Sequence, residues 1–185
     1  MRKRGRARKR DGGDVLKGLA AGVVGGLVAS WVMEEFQAGW SKVSEGLEAS
    51  QKSSKKKQKS GDSGEEQEPA TVKAAEAVSE NIFDHRLTKS EKKIAGPAMH
   101  YATGATSGAI YGVAAEFMPF VGVGAGLPFG AAVWLIADDA ALPALGLSKS
   151  PTEYPLSTHA YALASHLVYG LTTDVVRRAL RSAME

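Results

Sequence analysis

The sequence predicts an all-α integral membrane protein: a four-helix bundle of two parallel, pseudo-symmetric helical hairpins, with a short amphipathic helix beside it. Three observations predict this. Four stretches are apolar over about the 20 residues a helix needs to cross a hydrocarbon core of about 30 Å. Glycines recur at every fourth position within them. The polar motifs of the first half return in the second. The mean hydropathy of the 185 residues, −0.16, conceals a segregated chain. Seven of the ten residues in MRKRGRARKR are Lys or Arg, and a second polar block runs from about Ser41 to Lys93. There is no cysteine, so disulfide and thiolate chemistry are excluded.

Residues 1–14 read as a basic cytoplasmic tail. With an apolar span directly behind it, the tail suits anionic lipid headgroups rather than nucleic acid. The first transmembrane helix is 15–36, apolar from Val15 to Met33 except for Lys17, which can snorkel from the span end. A signal peptide has the same basic head, but this run is long and no A-x-A site follows it. Residues 37–69 read as a disordered charged linker, because Ser, Lys, Glu, Gln and Gly fill it. In 70–93, Val72, Ala75, Val78, Ile82 and Phe83 recur at helical spacing. This is an amphipathic helix on the membrane surface or against the bundle, or a plain solvated helix. Three further spans fill 94–182: Ile94 to Phe117, Met118 to Leu142 and Leu156 to Val176. Four buried helices of a soluble bundle are the competing reading. Soluble helices normally keep a polar face, and the first and third stretches have almost none.

The basic tail and the arginines after the fourth span place both termini on the cytoplasmic side, with the long connection outside.

The halves match in detail. A shift of 104 residues carries Gly18, Gly22 and Gly26 onto Gly122, Gly126 and Gly130, and Glu34 and Glu35 onto Asp138 and Asp139. A shift of 58 carries Pro97, Ser107, Tyr111 and Gly112 onto Pro155, Ser165, Tyr169 and Gly170, and Glu116 onto Asp174. LTKS (87–90) answers LSKS (147–150). Each unit contributes two spans, so the repeats insert in parallel about an axis along the membrane normal. Gly18, Gly22, Gly26, then Gly104, Gly108, Gly112, then Gly122, Gly126, Gly130 draw small-residue stripes that allow close helix packing. On the fourth span the corresponding line is Ala162, His166, Gly170, so His166 must face protein or water rather than lipid. Tyr111 and Tyr169 are the other expected buried polar groups.

Glu34, Glu35, Asp138 and Asp139 end the first and third spans, and His100 and His159 begin the second and fourth. The predicted topology brings all six to one outer level. Such a cluster attracts a cation, with Zn²⁺ or Mn²⁺ suited to His and carboxylate ligands. It serves equally to hold and release protons. The plain reading, interfacial residues marking span ends, competes with both. At the inner level Asp174 precedes Arg177 and Arg178 by one helical turn and forms an ion pair with them, and Glu116 joins the same arginines. No HExxH, GxSxG or Walker loop occurs, so no enzyme activity and no cofactor is expected.

GPAMHYATGATSGAIYGVAAE, GAGLPFGAAVWLIADDAALPALGL and YPLSTHAYALASHLVYGLTTDVVRRAL resemble the uncharacterised bacterial inner-membrane family that includes the YagU protein. The resemblance covers about residues 15–36 and 70–182. It implies a multi-span protein of the cytoplasmic membrane with an association with acid tolerance, and it supplies no catalytic residues. The expected function is proton or cation handling in acid or envelope stress. The rivals are a non-transporting scaffold acting through the 37–93 connection, and a pore of homo-oligomers formed along the glycine stripes.

Overall fold

A computed structural model describes residues 12–54 and 68–184, without the side chains of 45–54 and 119. The expected basic tail (1–11) and residues 55–67 of the expected linker lie outside the described residues. Everything described is helix or short connection, with no strand among the described residues: α1 (Gly12–Ser54), α2 (Ala70–Phe83), α3 (Lys89–Phe117), a 3-10 turn (Pro119–Gly122), α4 (Leu127–Trp134), a π-helical segment (Leu135–Ala141), α5 (Leu142–Ala144), a 3-10 turn (Pro151–Glu153) and α6 (Leu156–Ala183).

The expectation of disorder from residue 37 is corrected. α1 continues to Ser54, because Glu, Leu, Ala, Gln and Lys propagate a helix once its nucleus exists. The expected helix 70–93 is likewise divided. α2 stops at Asp84, which adopts a left-handed conformation, and α3 begins five residues later. Its start is a capping box: the Thr88 side chain accepts from the Glu91 N–H, and Glu91 accepts from the Thr88 N–H at 2.7 Å. The Thr88 backbone N–H, the Thr88 hydroxyl and His85 hold the Glu91 carboxyl down to about 2. Lys92 clamps α2 onto α3 through Glu76 at 2.7 Å and Glu68 at 2.9 Å, which raise its pKa above the ordinary lysine value.

The third stretch is not one helix from Met118 to Leu142. Gly124, Ala125 and Gly126 all have left-handed φ, at 76°, 54° and 81°. Pro128 in the first turn of α4 then suits a helix start. Among the described residues, two segments are long and apolar enough to cross a membrane, Gly12–Ser44 and Leu127–Ala144, and 39% and 6% of their apolar windows are buried.

α1 packs along both α3 and α6, α4 packs on α6, and α2 on α3. The α1–α3 seam is backbone against backbone. A Cβ on Gly22 would run into the Gly108 carbonyl and lie 2.9 Å from the Gly112 Cα. Gly26 stands similarly against Gly104, and Gly112 against Gly18. On α4, Gly126 meets Gly170 and Gly130 meets the His166 carbonyl. Gly122 departs from the expected stripe: it ends the 3-10 turn and faces the Arg178 guanidinium. The 104-residue register is corrected with it. The residue standing against Gly170, as Gly18 stands against Gly112, is Gly126, one helical turn beyond Gly122.

The interior is unusually polar. Ser30, Ser165, Thr173, Asp174, Glu116 and Arg177 are buried, while Leu27, Trp31, Ile110, Phe117, Ile136 and Val175 face outward.

Candidate functional site

The end of the assembly near Glu34 holds a cavity of about 1040 Å³ to which α1, α2, α3, the π segment and α6 all contribute. Its wall is mainly apolar, with Met33, Val72, Met99, Val133, Leu142 and Tyr161 among the lining residues. Glu34, His100, Asp138 and His166 bring ionisable groups to it. Glu34 accepts a hydrogen bond of 2.7 Å from the Tyr101 hydroxyl. The His100 Nε2 is buried and has no hydrogen-bond partner among the described residues. Ser30, fully buried and also lining the cavity, has an Oγ in the same condition.

His159 and His166 are seven residues apart on α6, two turns, and so share one face about 10 Å apart along the axis. Facing them is the π segment. Its wider turn keeps consecutive residues closer in direction than an α-helix does, and both neighbouring aspartates reach the same helix. Asp138 Oδ2 lies 3.7 Å from His166 Nδ1, and Asp139 Oδ1 lies 3.6 Å from His159 Nδ1.

The remaining ring contacts assign the protons. His166 Nδ1 is 2.9 Å from the Ala162 carbonyl, which only accepts, so Nδ1 carries the hydrogen and Nε2 is the atom that takes a second proton. His159 is reversed: Nε2 donates to the Pro151 carbonyl at 2.9 Å. Its Nδ1 lone pair therefore faces the Asp139 carboxylate, and a proton taken up there would bridge the two. Trp134 and Tyr154 flank the His159 ring edge-on, at 6.2 and 6.3 Å between centroids.

The six-residue cluster expected from the sequence is thus divided. Glu34, His100 and Asp138 share the cavity, Asp139 and His159 form a pair beside it, and Glu35 is exposed on α1 outside it. His166, expected only as a buried polar residue, joins the cavity. Among the described residues no three His, Asp or Glu side chains come close enough together to hold a metal ion.

The other end is a network of paired charges. Asp174, 1% exposed, accepts from Tyr111 at 2.8 Å and pairs with Arg177 at 3.0 Å and Arg178 at 2.7 Å. The Arg177 guanidinium also stands 5.5 Å from the Tyr111 ring centre. Glu116 binds Arg181 through both oxygens, at 2.7 and 3.1 Å, rather than Arg177 or Arg178. Sequence reasoning missed Arg181 as the partner, although it lies one turn beyond Arg177 on the same face. Between the two ends, Phe129 stacks on Tyr111 at 4.3 Å and lies 5.9 Å from Tyr169, whose hydroxyl donates to the Gly104 carbonyl at 2.6 Å.

No curated protein and no solved structure matches the chain. A family model described as "Protein of unknown function (DUF1440)" matches residues 64–175, which take in α2, α3, α4, the π segment and most of α6. More than half of the chain is matched, and the protein belongs to the DUF1440 family.

Proposed function

We propose that this chain is a multi-pass helical protein of the bacterial cytoplasmic membrane, with both termini cytoplasmic, that takes up and releases protons at His–carboxylate pairs on the outer side. In this reading α1, α3, α4 with its π segment, and α6 cross the bilayer. At 29 and 28 residues, α3 and α6 extend about 43 and 42 Å, longer than a hydrocarbon core of about 30 Å. Neither is apolar all round. Asp174, Glu116, Ser165 and Thr173 among their polar residues are buried inside, while Ile110, Phe117, Leu171 and Val175 face out. That distribution suits lipid as the surrounding solvent. The glycine contacts act as a packing zipper, and the two hairpins descend from one duplicated unit, with Gly18–Gly112 answering Gly126–Gly170.

One observation carries the functional part: consecutive aspartates of a π segment, each set beside a histidine on one face of α6. Histidine is the side chain suited to exchange protons between about pH 5 and 8. The test is proton uptake by the full chain in lipid nanodiscs, stepped from about pH 8 to about pH 5 and counted with a pH dye. His159→Gln and His166→Gln are each expected to lower the uptake and to reduce acid survival of cells. Unchanged uptake in both variants would overturn the reading.

A second reading has its own support. α2 leaves Val78, Ile82 and Phe83 exposed, as a scaffold docking through the 37–93 connection requires. Replacing all three with Ser would abolish function under that reading and leave proton uptake intact under the first.

A further inference from the structure

The cavity is far larger than proton exchange requires. Its volume of about 1040 Å³ sits at the upper end of ligand pockets, which run from roughly 300 to 1,000 Å³. Its chemistry is that of a ligand site too: an apolar wall with a few polar groups at defined places. Two of those groups lack a partner. The Ser30 Oγ is wholly buried and unpaired, and the His100 Nε2 is buried and unpaired. Buried polar atoms are seldom left so, and water sharing the cavity with a ligand completes both.

The charge balance selects the ligand. From α1 the cavity receives Glu34, and from the π segment Asp138. α3 supplies His100, and α6 supplies His166 with the phenols of Tyr161 and Tyr169. The α2 residues that line it are uncharged, and Lys92 is held away by Glu68 and Glu76. Asp139, next to Asp138, is turned to His159. With the histidines neutral, two carboxylates face a mainly apolar cavity whose described lining includes no Lys or Arg. With His100 and His166 protonated, the balance is cancelled. Among the described residues no trio of ligating side chains is close enough for a metal ion, and a bare inorganic cation would leave the apolar wall unused.

We propose that this cavity binds a lipophilic organic cation, an ammonium or phosphonium head carried on hydrocarbon or aromatic groups. The head lies between Glu34 and Asp138, and the apolar groups lie against Met33, Met99, Val133 and Leu142. Uptake of protons by His100 and His166 expels the ligand, so cation and protons compete. The proposal rests on the proton reading of the same site and adds its substrate class.

The test uses the full chain in nanodiscs, with empty nanodiscs subtracted to remove partition into lipid. The probe is tetraphenylphosphonium, and tetraphenylborate is the control of equal shape and opposite charge. Saturable phosphonium binding at pH 8, absent for the borate and weakened at pH 5, is the expected result. Asp138→Asn is expected to weaken it about tenfold or more. Val133→Trp fills the cavity without altering a charge, and should abolish phosphonium binding. Equal binding of phosphonium and borate would mark an apolar void that any hydrocarbon, lipid tails included, can occupy, and would overturn the inference. So would phosphonium binding no stronger than to empty nanodiscs, or unaffected by Asp138→Asn and Val133→Trp alike. Proton uptake lost in His159→Gln and His166→Gln, with no phosphonium binding in the parent chain, would sink the ligand and spare the proton reading.

Discussion

Gly22→Ala tests the seam that holds α1 against α3. The added methyl carbon would meet the Gly108 carbonyl oxygen in hard overlap, with the Gly112 Cα at 2.9 Å and the Gly108 carbonyl carbon at 3.0 Å. All three are backbone atoms, so no side chain can swing aside, and only separation of the helices relieves the clash. Separation also loosens Gly18 from Gly112 and Gly26 from Gly104. Overpacking of this kind costs about 1–3 kcal/mol. Against it stands the gain of replacing a helical glycine by alanine, about 1 kcal/mol. Gly39→Ala removes that ambiguity, because Gly39 lies in the same helix with nothing within 4 Å of its would-be Cβ. The propensity gain is shared, and the difference between the two variants isolates the steric cost. Gly22→Ala should therefore be less stable than Gly39→Ala by about 1–3 kcal/mol, roughly 5- to 150-fold in the unfolding constant. Reversible unfolding in mixed micelles measures this. Equal stability of the two variants would refute the backbone seam.

Asp174→Asn leaves Arg177 and Arg178 facing a neutral amide, and should cost about 3–5 kcal/mol in the same assay; a loss below about 1 kcal/mol would mean that the pairs are solvated and weak. Tyr169→Phe removes a bond between α6 and the Gly104 carbonyl of α3, which keeps its partner within the helix, and should cost about 0.5–1.5 kcal/mol, a stability equal to the parent chain counting against that bond. Glu91 lies outside the proposed spans, and its carboxyl is held down to about 2 from an ordinary 4.5. A depressed carboxylate stabilises the folded chain above its ordinary value and loses that contribution as pH falls toward the folded one. The first turn of α3 should thus be intact at pH 5 and fray between about 4.5 and 2, visible in the amide signals of residues 88–92; a Glu91 titration near 4.5 would show the capping box absent.

The glycine seam was legible because small residues four apart mark one helix face whatever the partner is. Gly18, Gly22 and Gly26 meet Gly112, Gly108 and Gly104 as that rule requires. The break in the third stretch was written more faintly. VGVGAGLP lies within an apolar run, and hydropathy is blind to backbone sign. Only glycine density and a proline suited to a first helical turn mark the left-handed residues before α4. The LTKS motif and its echo LSKS each contain a helix cap, at the second residue of the first, Thr88, and at the fourth of the other, Ser150. Thr88 with Glu91, and Ser150 with Glu153, are capping boxes. The π segment left no mark at all. A widened turn has no residue signature of its own, and it decides that Asp138 and Asp139 both address α6 while Glu35 is left outside.

The two ends of this chain use the same residue types to different purposes. At the Glu116 end, Asp174 and Glu116 are met at hydrogen-bond distance by arginine or tyrosine, at 2.7 to 3.0 Å, and Asp14 lies 3.6 Å from Arg181. Arginine holds its charge at any ordinary pH, so this end keeps one electrostatic state and acts as a fixed clamp. Near Glu34 the partners are histidines, which change charge, set at 3.6 and 3.7 Å from their carboxylates rather than at bonding distance. Ser30 and His100 there present buried polar atoms with nothing to satisfy them. A buried network that is only partly satisfied is costly, and both ends carry such atoms: Ser30 Oγ and His100 Nε2 here, Arg177 Nε at the other. The stack of Tyr111, Phe129 and Tyr169 lies between them. The Tyr111–Asp174 bond and the Glu116–Arg181 pair tie α3 to α6 at the end away from His166.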